Sequence, residues 1–512
     1  MKPALVALSS TDSAYPRTPP FHPSRAYPEY PFPAATCVSP VPNGAYEAVR
    51  RAFELLGLDR GHQGTSAWNP LGDIIKPGNS VVVKPNWVYH VLAHDPRPHE
   101  VLITHPSVLR AVIDYVFLAC GRGGRITLGD APIQSADFQK IVEMSGIQSL
   151  IDLYREQFHF EIRLVDFRRD RAQPTTHGLV KQFRNDRADP DGYRVIDLGE
   201  RSFLETIVKD WRRFRSLEYD PEDLHSHHFP GTHQYLISGS VLEADVLVNV
   251  PKLKTHGKVG VTCSLKNLVG INGDKAYLPH FRVGAPSESG DDHPHRSWMK
   301  NVYTLVKERL ILSNHEMLWR SVRWLGQQGM KVAEKAAPLP NVGGAGGYRI
   351  YGGHWHGNDT SWRMVLDLNV LFFFGNQQGK IGDLIQRKSI SVVDAICAGE
   401  GNGPLSPLRK NVGHVLAGVS PVAVDLVAAR HMGLDDQKVP LLREARKHLG
   451  TSFPEPGSAP ILVVTAAGTV PLEETTTNWR FRAPDGWKGF VEREERFPST
   501  GTAAGIPRGT GC

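Results

Sequence analysis

The chain has 512 residues, of which 40% are hydrophobic and 22% charged, and its formal net charge is +6 at pH 7. This composition is typical of a soluble globular protein, and the length predicts a large core divided into more than one lobe. The excess of positive charge is small and spread along the chain. It therefore gives no reason to expect a nucleic-acid partner.

The spacing of the cysteines gives no indication of a metal site held by clustered thiolates. They are scattered without a CxxC pair, so neither a four-cysteine iron–sulfur cluster nor a thiolate zinc site is predicted. We expect a cytoplasmic protein, because a reducing compartment suits unpaired thiols and the apolar run at 4–8 is too short for a signal peptide. No stretch reaches the roughly 18 apolar residues of a membrane span, so no membrane association is expected.

The first 43 residues predict a strand followed by an irregular arm. Residues 4–8 form the strand, and the many prolines between Pro16 and Pro42 disfavour regular structure. The arm either wraps around the fold or is a flexible leader. A helix is then predicted at 45–56, because its apolar residues have helical spacing and Gly57 follows.

Two strands of the next region end in polar residues. Residues 80–84 predict a buried strand that ends at Lys84, with Asn86 just beyond it, and a strand at 126–128 is followed by Asp130. Ligands bind at the carboxyl ends of strands in open α/β sheets, so Lys84 and Asn86 are candidates for substrate binding. Asp130 is a candidate to orient a histidine or bind Mg²⁺. The alternatives are a simple turn after the first strand and a helix cap after the second.

The stretch at 246–280 is the centre of the predicted site. Residues 246–250 predict a strand that is buried on both faces and ends at Pro251. No acidic residue follows until after Gly273, although the segment is rich in cations, and these are Lys252, Lys254, Lys258 and Lys266, with Thr255, His256 and Asn267 among them and Lys275 and His280 beyond. Ammonium groups without carboxylates repel one another, so a small anionic ligand is expected. The alternative is a solvated basic loop.

A further strand, followed by a glycine-rich loop, is predicted in the C-terminal part of the chain. A strand at 390–396 contains Asp394, and the loop after it carries Glu400 and Asn402. The two carboxylates are candidate acid, base or metal-binding groups. The loop has neither the Gly-Lys-Ser/Thr of a P-loop nor the GxGxxG spacing of a dinucleotide site.

Several motifs resemble one protein family. They are VVVKPNW at 81–87, THPSVLRAVIDYV at 104–116, LGDAP at 128–132, PKLKTH at 251–256, SLKNLVG at 264–270 and VVDAICAGEGNGP at 392–404. Their order across most of residues 80–435 resembles the bacterial and archaeal family called domain of unknown function 362. The resemblance implies no particular reaction.

A more distant similarity involves the nickel-pincer lactate racemases and related 2-hydroxyacid isomerases. Those enzymes carry a histidine, then the lysine that attaches the cofactor, then a metal-binding histidine, and His256, Lys266 and His280 follow the same order here. The resemblance implies a site at these three positions, with His280 as the metal-binding histidine, and not the nickel chemistry itself. His256 is expected to act as general acid/base, because the ordinary pKa of a histidine lies near neutrality. Lys266 is expected to hold the ligand or to form a covalent attachment, as a lysine among other cations can when its pKa is lowered. The Ser-Gly-Gly step before the lysine of those enzymes is replaced by Cys263-Ser264-Leu265.

The sequence therefore predicts an α/β protein with a largely parallel sheet, helices on both faces, two lobes and a helical insertion. The predicted segments are a strand plus proline-rich arm at 1–43, an N-terminal α/β lobe with a peripheral β insertion at 44–296, a helical insertion at 297–340, a C-terminal α/β lobe at 341–490 and a disordered tail at 491–512. The predicted catalytic residues are His256, Lys266 and Asp130; the substrate-binding residues are Lys84, Asn86, Lys252, Lys254, Thr255, Asn267, Glu400 and Asn402; and the metal-binding residues are His280 and Asp394.

The function expected from these residues is that of an isomerase or oxidoreductase. It would act on a small carboxylate or phosphorylated metabolite, by proton or hydride transfer that a nickel, iron or zinc ion assists. The alternative is a non-catalytic binding or redox accessory protein that holds an anionic cofactor or an iron–sulfur unit supplied by a partner.

Overall fold

The computed structural model describes residues 2–297 except 13, 93, 175–179 and 217–218, a few positions from 300 to 325, and residues 352–493 except 452 and 454–458. Most of the predicted helical insertion and nearly all of the predicted C-terminal tail lie outside the described residues.

The described residues form both β-strands and α-helices. The strands are β1 Ala4–Ser10, β2 Ser80–Pro85, β3 Arg125–Asp130, β4 Ile162–Asp166, β5 Asp170–Pro174, β6 Val180–Arg184, β7 Tyr193–Asp197, β8 Phe214–Arg215, β9 His228–Phe229, β10 Thr232–Ser238, β11 Val246–Val250, β12 Lys252–His256, β13 Gly260–Thr262, β14 Phe281–Arg282, β15 Lys388–Asn402, β16 Ser406–Gly418, β17 Ile461–Thr465 and β18 Gly468–Pro471. The α-helices are α1 Ala34–Cys37, α2 Gly44–Leu55, α3 Pro98–Val101, α4 Pro106–Cys120, α5 Phe138–Ser145, α6 Ile147–Phe158, α7 Pro221–His227, α8 Gly239–Leu242, α9 Ser264–Asn267, α10 Ser361–Phe374, α11 Pro421–Met432 and α12 Pro440–Lys447.

One 11-stranded sheet organises the molecule. Its main path runs β18-β17-β1-β16-β15-β11-β2-β3-β4, while β12 pairs with β15 and β13 pairs with β12. Along the main path every strand runs in the same direction except β16 and β18, because the β1–β16, β15–β16 and β17–β18 pairs are antiparallel and the others parallel. The α/β fold class with a mostly parallel sheet is therefore confirmed.

Both faces of this sheet are covered by helices. In β11, Leu247 contributes to one hydrophobic core, while Val246, Val248 and Val250 contribute to the other. Helices α10, α11 and α12 pack in the first core, and α2, α4, α5 and α6 pack in the second. A parallel strand buried on both faces is a nearly continuous run of apolar residues, and this pattern, interrupted only by Asn249, predicted β11.

The proline-rich arm is part of the second core. Tyr15, Tyr27 and Phe32 are buried there against α2 and α4. The Tyr15 ring stacks on His105 with centroids 3.9 Å apart. Of the two alternatives predicted for this segment, the structure shows the arm that wraps around the fold.

A long hairpin corrects two local predictions. The strand predicted at 390–396 continues as β15 through the glycines to Asn402, and it turns at 403–405 into β16. The basic segment predicted as a loop after Pro251 begins as strand β12, which pairs with β15 and β13. The β15 extension was missed because glycines are uncommon in strands, although its partner β16 follows directly. β12 was missed because its pairing with β15 joins segments far apart along the chain.

Two smaller features are the lack of a predicted membrane span and a cluster of histidines at 225–233. No helix in the described part of the chain has the length and apolar character to traverse a bilayer. In the cluster, His233 Nε2 lies 2.9 Å from Glu205 Oε2 and His228 Nε2 lies 2.9 Å from the Tyr277 carbonyl oxygen. Both histidines are buried and contact groups of the protein.

Candidate functional site

A cavity of about 520 Å³ lies where several parallel strands end. Its wall contains residues from separate elements that the fold brings together, namely Asn86, Asp130, His256, Lys258, Lys266, Asn267, Lys275, His280, His354, Asn402 and Asp485. The carboxyl edge of a parallel sheet is the usual position of a ligand site in α/β proteins.

An ion pair between Lys84 and Asp130 forms part of the cavity wall. The Lys84 ammonium is fully buried behind the wall and donates to Asp130 Oδ1 over 2.7 Å, while the Trp87 backbone N–H donates to Oδ2 over 2.6 Å. Burial lowers the pKa of Lys84, and the charge of Asp130 opposes this effect. Because Asp130 is neutralised by its partner, it adds no net negative charge to the cavity.

The Lys266 amine differs from the other amines near the cavity in having no polar partner within the described part of the chain. Its side chain is only partly buried in the cavity, and it makes no hydrogen bond or ion pair with any described residue. Burial, followed by the charges of Lys275 and Lys84, lowers the pKa of Lys266 to about 7. A large share of this amine is therefore neutral near pH 7.

The short helix α9 fixes the backbone at Lys266. Asp425 of α11 accepts the backbone N–H of Ser264 at Oδ1 over 2.6 Å and that of Leu265 at Oδ2 over 3.0 Å. Burial raises the pKa of Asp425 to about 6. A carboxylate at the start of a helix satisfies amides that have no intrahelical partner.

Two further lysines add positive charge to the cavity. Lys275 Nζ lies 3.4 Å from the Ala131 carbonyl oxygen, and burial lowers its pKa to about 8. Lys258 Nζ donates to the Gly352 carbonyl oxygen and lies 4.9 Å from the centroid of the Phe281 ring. Unlike Lys266, both amines are held by a backbone carbonyl.

The two predicted histidines present opposite hydrogen-bonding groups. His256 Nδ1 accepts the backbone N–H groups of Lys258 and Val259 over 3.1 and 3.4 Å, so the proton of the neutral ring is on Nε2. His280 Nδ1 lies 2.7 Å from the Leu278 carbonyl oxygen and must donate to it, which leaves a lone pair on Nε2. Burial, followed by the lysine charges, lowers the pKa of both rings.

Four predicted binding residues do not form the cavity wall. Lys254 Nζ donates to the Leu102 carbonyl oxygen over 2.6 Å, and the Thr255 hydroxyl donates to the Gly401 carbonyl oxygen over 2.8 Å. Lys252 Nζ lies 3.0 Å from Asp394 Oδ2, and Glu400 accepts the Arg482 backbone N–H. These side chains contact other polar groups of the protein and are not part of the cavity wall.

The predicted metal pair is also separated. Asp394 accepts hydrogen bonds from the Tyr15 hydroxyl over 2.5 Å and the His105 backbone N–H over 2.9 Å, whereas His280 lies in the cavity wall. In the described ranges no group of three histidine, cysteine or carboxylate residues is placed to hold a metal ion. The donor set therefore does not fit a metal centre, because His256 presents an N–H to the cavity and Asp130 is already paired.

Three cavity residues had no role assigned from the sequence. Lys258 and Lys275 belong to the basic stretch at 246–280, so the sequence already indicated that they lie near the site. His354 was not recognised because it comes from a distant glycine-rich segment. Its ring approaches Gly257 so closely that a Cβ there would lie 2.7 Å from His354 Cδ2.

The proteins to which this chain is similar include a curated relative and a solved structure. A thylakoid-associated protein of Synechocystis sp. is 24% identical over 215 residues, which cover 42% of this chain and 46% of that protein. The chain thus spans less than half the length of this relative. A crystal structure of a Thermotoga maritima protein aligns with a TM-score of 0.32 and 10% identity, over 78% of this chain and 59% of the other.

The family resemblance predicted from the motifs is confirmed by a match to a whole-family profile, while the more distant similarity to lactate racemases stays a hypothesis. The profile covers residues 81–187 and 199–430, which is more than half of the chain. The protein therefore belongs to the family described as Domain of unknown function (DUF362).

Proposed function

We propose that this protein is an enzyme that binds and transforms a small anionic metabolite, a carboxylate or a phosphorylated compound, in the cavity beside Lys266. The observation that carries the proposal is the charge of the wall. Lys258, Lys266 and Lys275 line it, the charge of Asp130 is cancelled by Lys84, and the carboxylate of Asp485 offsets only one of the three lysines. A cavity of about 520 Å³ has the size of a small-molecule site.

The ionisation of the lysines supports an anionic ligand. Burial and mutual repulsion lower the pKa of Lys266 to about 7 and that of Lys275, mainly by burial, to about 8. A bound anion would relieve the repulsion and favour the charged amines. Anion binding is then accompanied by proton uptake.

The remaining polar groups suit proton transfer on such a ligand. His256 can donate a hydrogen bond from Nε2 to a ligand oxygen, and His280 can accept a proton at Nε2. Lys258 and Lys275 would hold the anionic group. A metal is not needed for these roles, so we propose proton transfer next to the anionic group as the chemistry of the site.

Calorimetric titration with phosphate, pyruvate and lactate tests the anion site. We expect wild-type protein to bind at least one of them, and Lys275→Met to weaken that binding by about tenfold or more, as for a lost charge-assisted hydrogen bond. Lys447→Met is the matched control, because Lys447 is 58% exposed on α12 and forms an ion pair with Glu444 on the same helix. If no anion binds, or both variants bind equally well, the proposal is wrong.

Turnover separates an enzyme from a binding protein. Incubation of bound 2-hydroxy or 2-oxo acids in D₂O, followed by NMR, reports exchange of the hydrogen next to the carboxylate or carbonyl group. Exchange that requires His280 supports catalysis. Tight binding without exchange or conversion supports the non-catalytic alternative.

A further inference from the structure

We infer that Lys266 forms an imine with the carbonyl carbon of an anionic oxo compound, such as a 2-oxo acid, bound in the cavity. This inference rests on the proposed function and narrows its substrate class from anions in general to anions that carry a ketone or aldehyde group.

The geometry selects Lys266 among the lysines near the cavity. Lys258 and Lys275 each donate to a backbone carbonyl group, and Lys84 is paired with Asp130. Lys266 has no such partner in the described part of the chain, and its backbone is anchored through the start of α9 by Asp425. Its amine is therefore both positioned and available.

The surroundings also favour a neutral amine, which is the reactive form. Burial and the neighbouring cations lower the pKa of Lys266 to about 7. A lysine surrounded by other cations is a recognised way of activating this nucleophile. The same cations would hold the carboxylate of a 2-oxo acid and so place its adjacent carbonyl carbon within reach of the amine.

The reaction is balanced without any other reagent. The Lys266 nitrogen adds its lone pair to the carbonyl carbon, and the C=O π electrons move to oxygen. The nitrogen loses a proton and the oxygen gains one, which gives a carbinolamine. A second proton, supplied by solvent water, lets that oxygen leave as water, and the nitrogen lone pair forms the C=N bond of a protonated imine. His256 Nε2–H is placed in the cavity wall to donate a hydrogen bond to the oxygen.

Reductive trapping tests the inference directly. Full-length protein is incubated with pyruvate, 2-oxoglutarate or glyoxylate and sodium cyanoborohydride near pH 7, and peptides are analysed by mass spectrometry. Hydride addition to an imine leaves a stable secondary amine. We expect one such modification per chain with at least one of the three acids, located on Lys266 and suppressed by excess phosphate.

Variants and pH give independent readouts. Lys266→Arg keeps the charge but forms no imine, so it should abolish the modification, whereas Lys447→Met should keep it. Trapping on wild-type protein should become faster between about pH 6 and about pH 8 as the amine loses its proton. Mapping on the wild-type chain does not depend on whether a variant folds.

The possible failures are distinguishable. If phosphate or an oxo acid binds but none of the three acids is trapped on Lys266, the imine is refuted while the anion site stands. If no anion binds at all, the proposed function fails as well. Modification spread over surface lysines and insensitive to phosphate also refutes the inference.

Discussion

At the scale of single residues, Lys266 should cost the protein stability in the absence of a ligand. Its amine is placed among other cations in a partly buried wall, without a protein partner among the described residues. We therefore predict that Lys266→Met stabilises the ligand-free protein by about 1 to 3 kcal/mol near pH 7, as often happens when a functional group is replaced by one that packs. Urea unfolding followed by circular dichroism measures the change.

The pH dependence of that gain has a definite sign. The pKa of Lys266 is about 7 in the folded protein, well below its ordinary value in an unfolded chain. Between about pH 7 and about pH 10 the unfolded chain binds more protons, so this residue makes wild-type stability rise with pH. The gain from Lys266→Met should be largest below about pH 7 and shrink towards pH 10. A loss of stability at pH 7 would show that Lys266 has a structural role instead.

At the scale of elements, the site depends on a close approach between two strand ends and the turn after α9. A Cβ on Gly270 would lie 1.9 Å from Asp130 Oδ1 and 2.8 Å from Lys84 Nζ. Gly270→Ala must therefore push apart a buried ion pair, and we predict a loss of about 2 to 4 kcal/mol.

Thermal and urea unfolding of Gly270→Ala check that loss against a control. Gly61→Ala is the matched substitution, since a Cβ there meets nothing within 4 Å, and it should change stability by less than about 0.5 kcal/mol. Equal stability of the two variants would mean that the turn moves aside easily and does not fix the Lys84–Asp130 pair.

Some elements could be predicted from the sequence because their signal is local, and others could not. β2, β3 and β11 were predictable because a buried parallel strand is apolar on both faces, and this signal is local. β12 was not, because its lysines are paired with distant groups, among them Asp394 and Leu102, which lie 142 and 152 residues away. His256, Lys266 and His280 were predicted to share one site because they are close in sequence, whereas their hydrogen-bonding roles depend on backbone groups that only the fold positions.

At the scale of the whole molecule, the ends of the described chain meet within one sheet. β1 lies between β16 and β17, so strands from the predicted N-terminal and C-terminal parts alternate. The arm after β1 continues this connection, because Tyr15 contacts groups on β12 and β15. No local sequence pattern reports pairing over such separations.

Tyr15 therefore gives a test of how strongly the arm stabilises the fold. Its hydroxyl donates to Asp394 Oδ1 over 2.5 Å and accepts from Lys252 Nζ over 2.6 Å and the Cys397 backbone N–H over 3.0 Å. Tyr15→Phe leaves these buried groups short of a partner, and we predict a loss of about 1 to 3 kcal/mol in urea unfolding.

The control for this substitution is Tyr89→Phe. The Tyr89 hydroxyl makes no hydrogen bond within the described ranges, and its ring contact with His90 survives the change. We expect an effect below about 0.5 kcal/mol. Neither Tyr15 nor its polar partners line the cavity, so Tyr15→Phe should destabilise the protein without altering its anion affinity. A loss of anion affinity at unchanged stability would instead place Tyr15 in the ligand site and contradict its assignment as a structural residue.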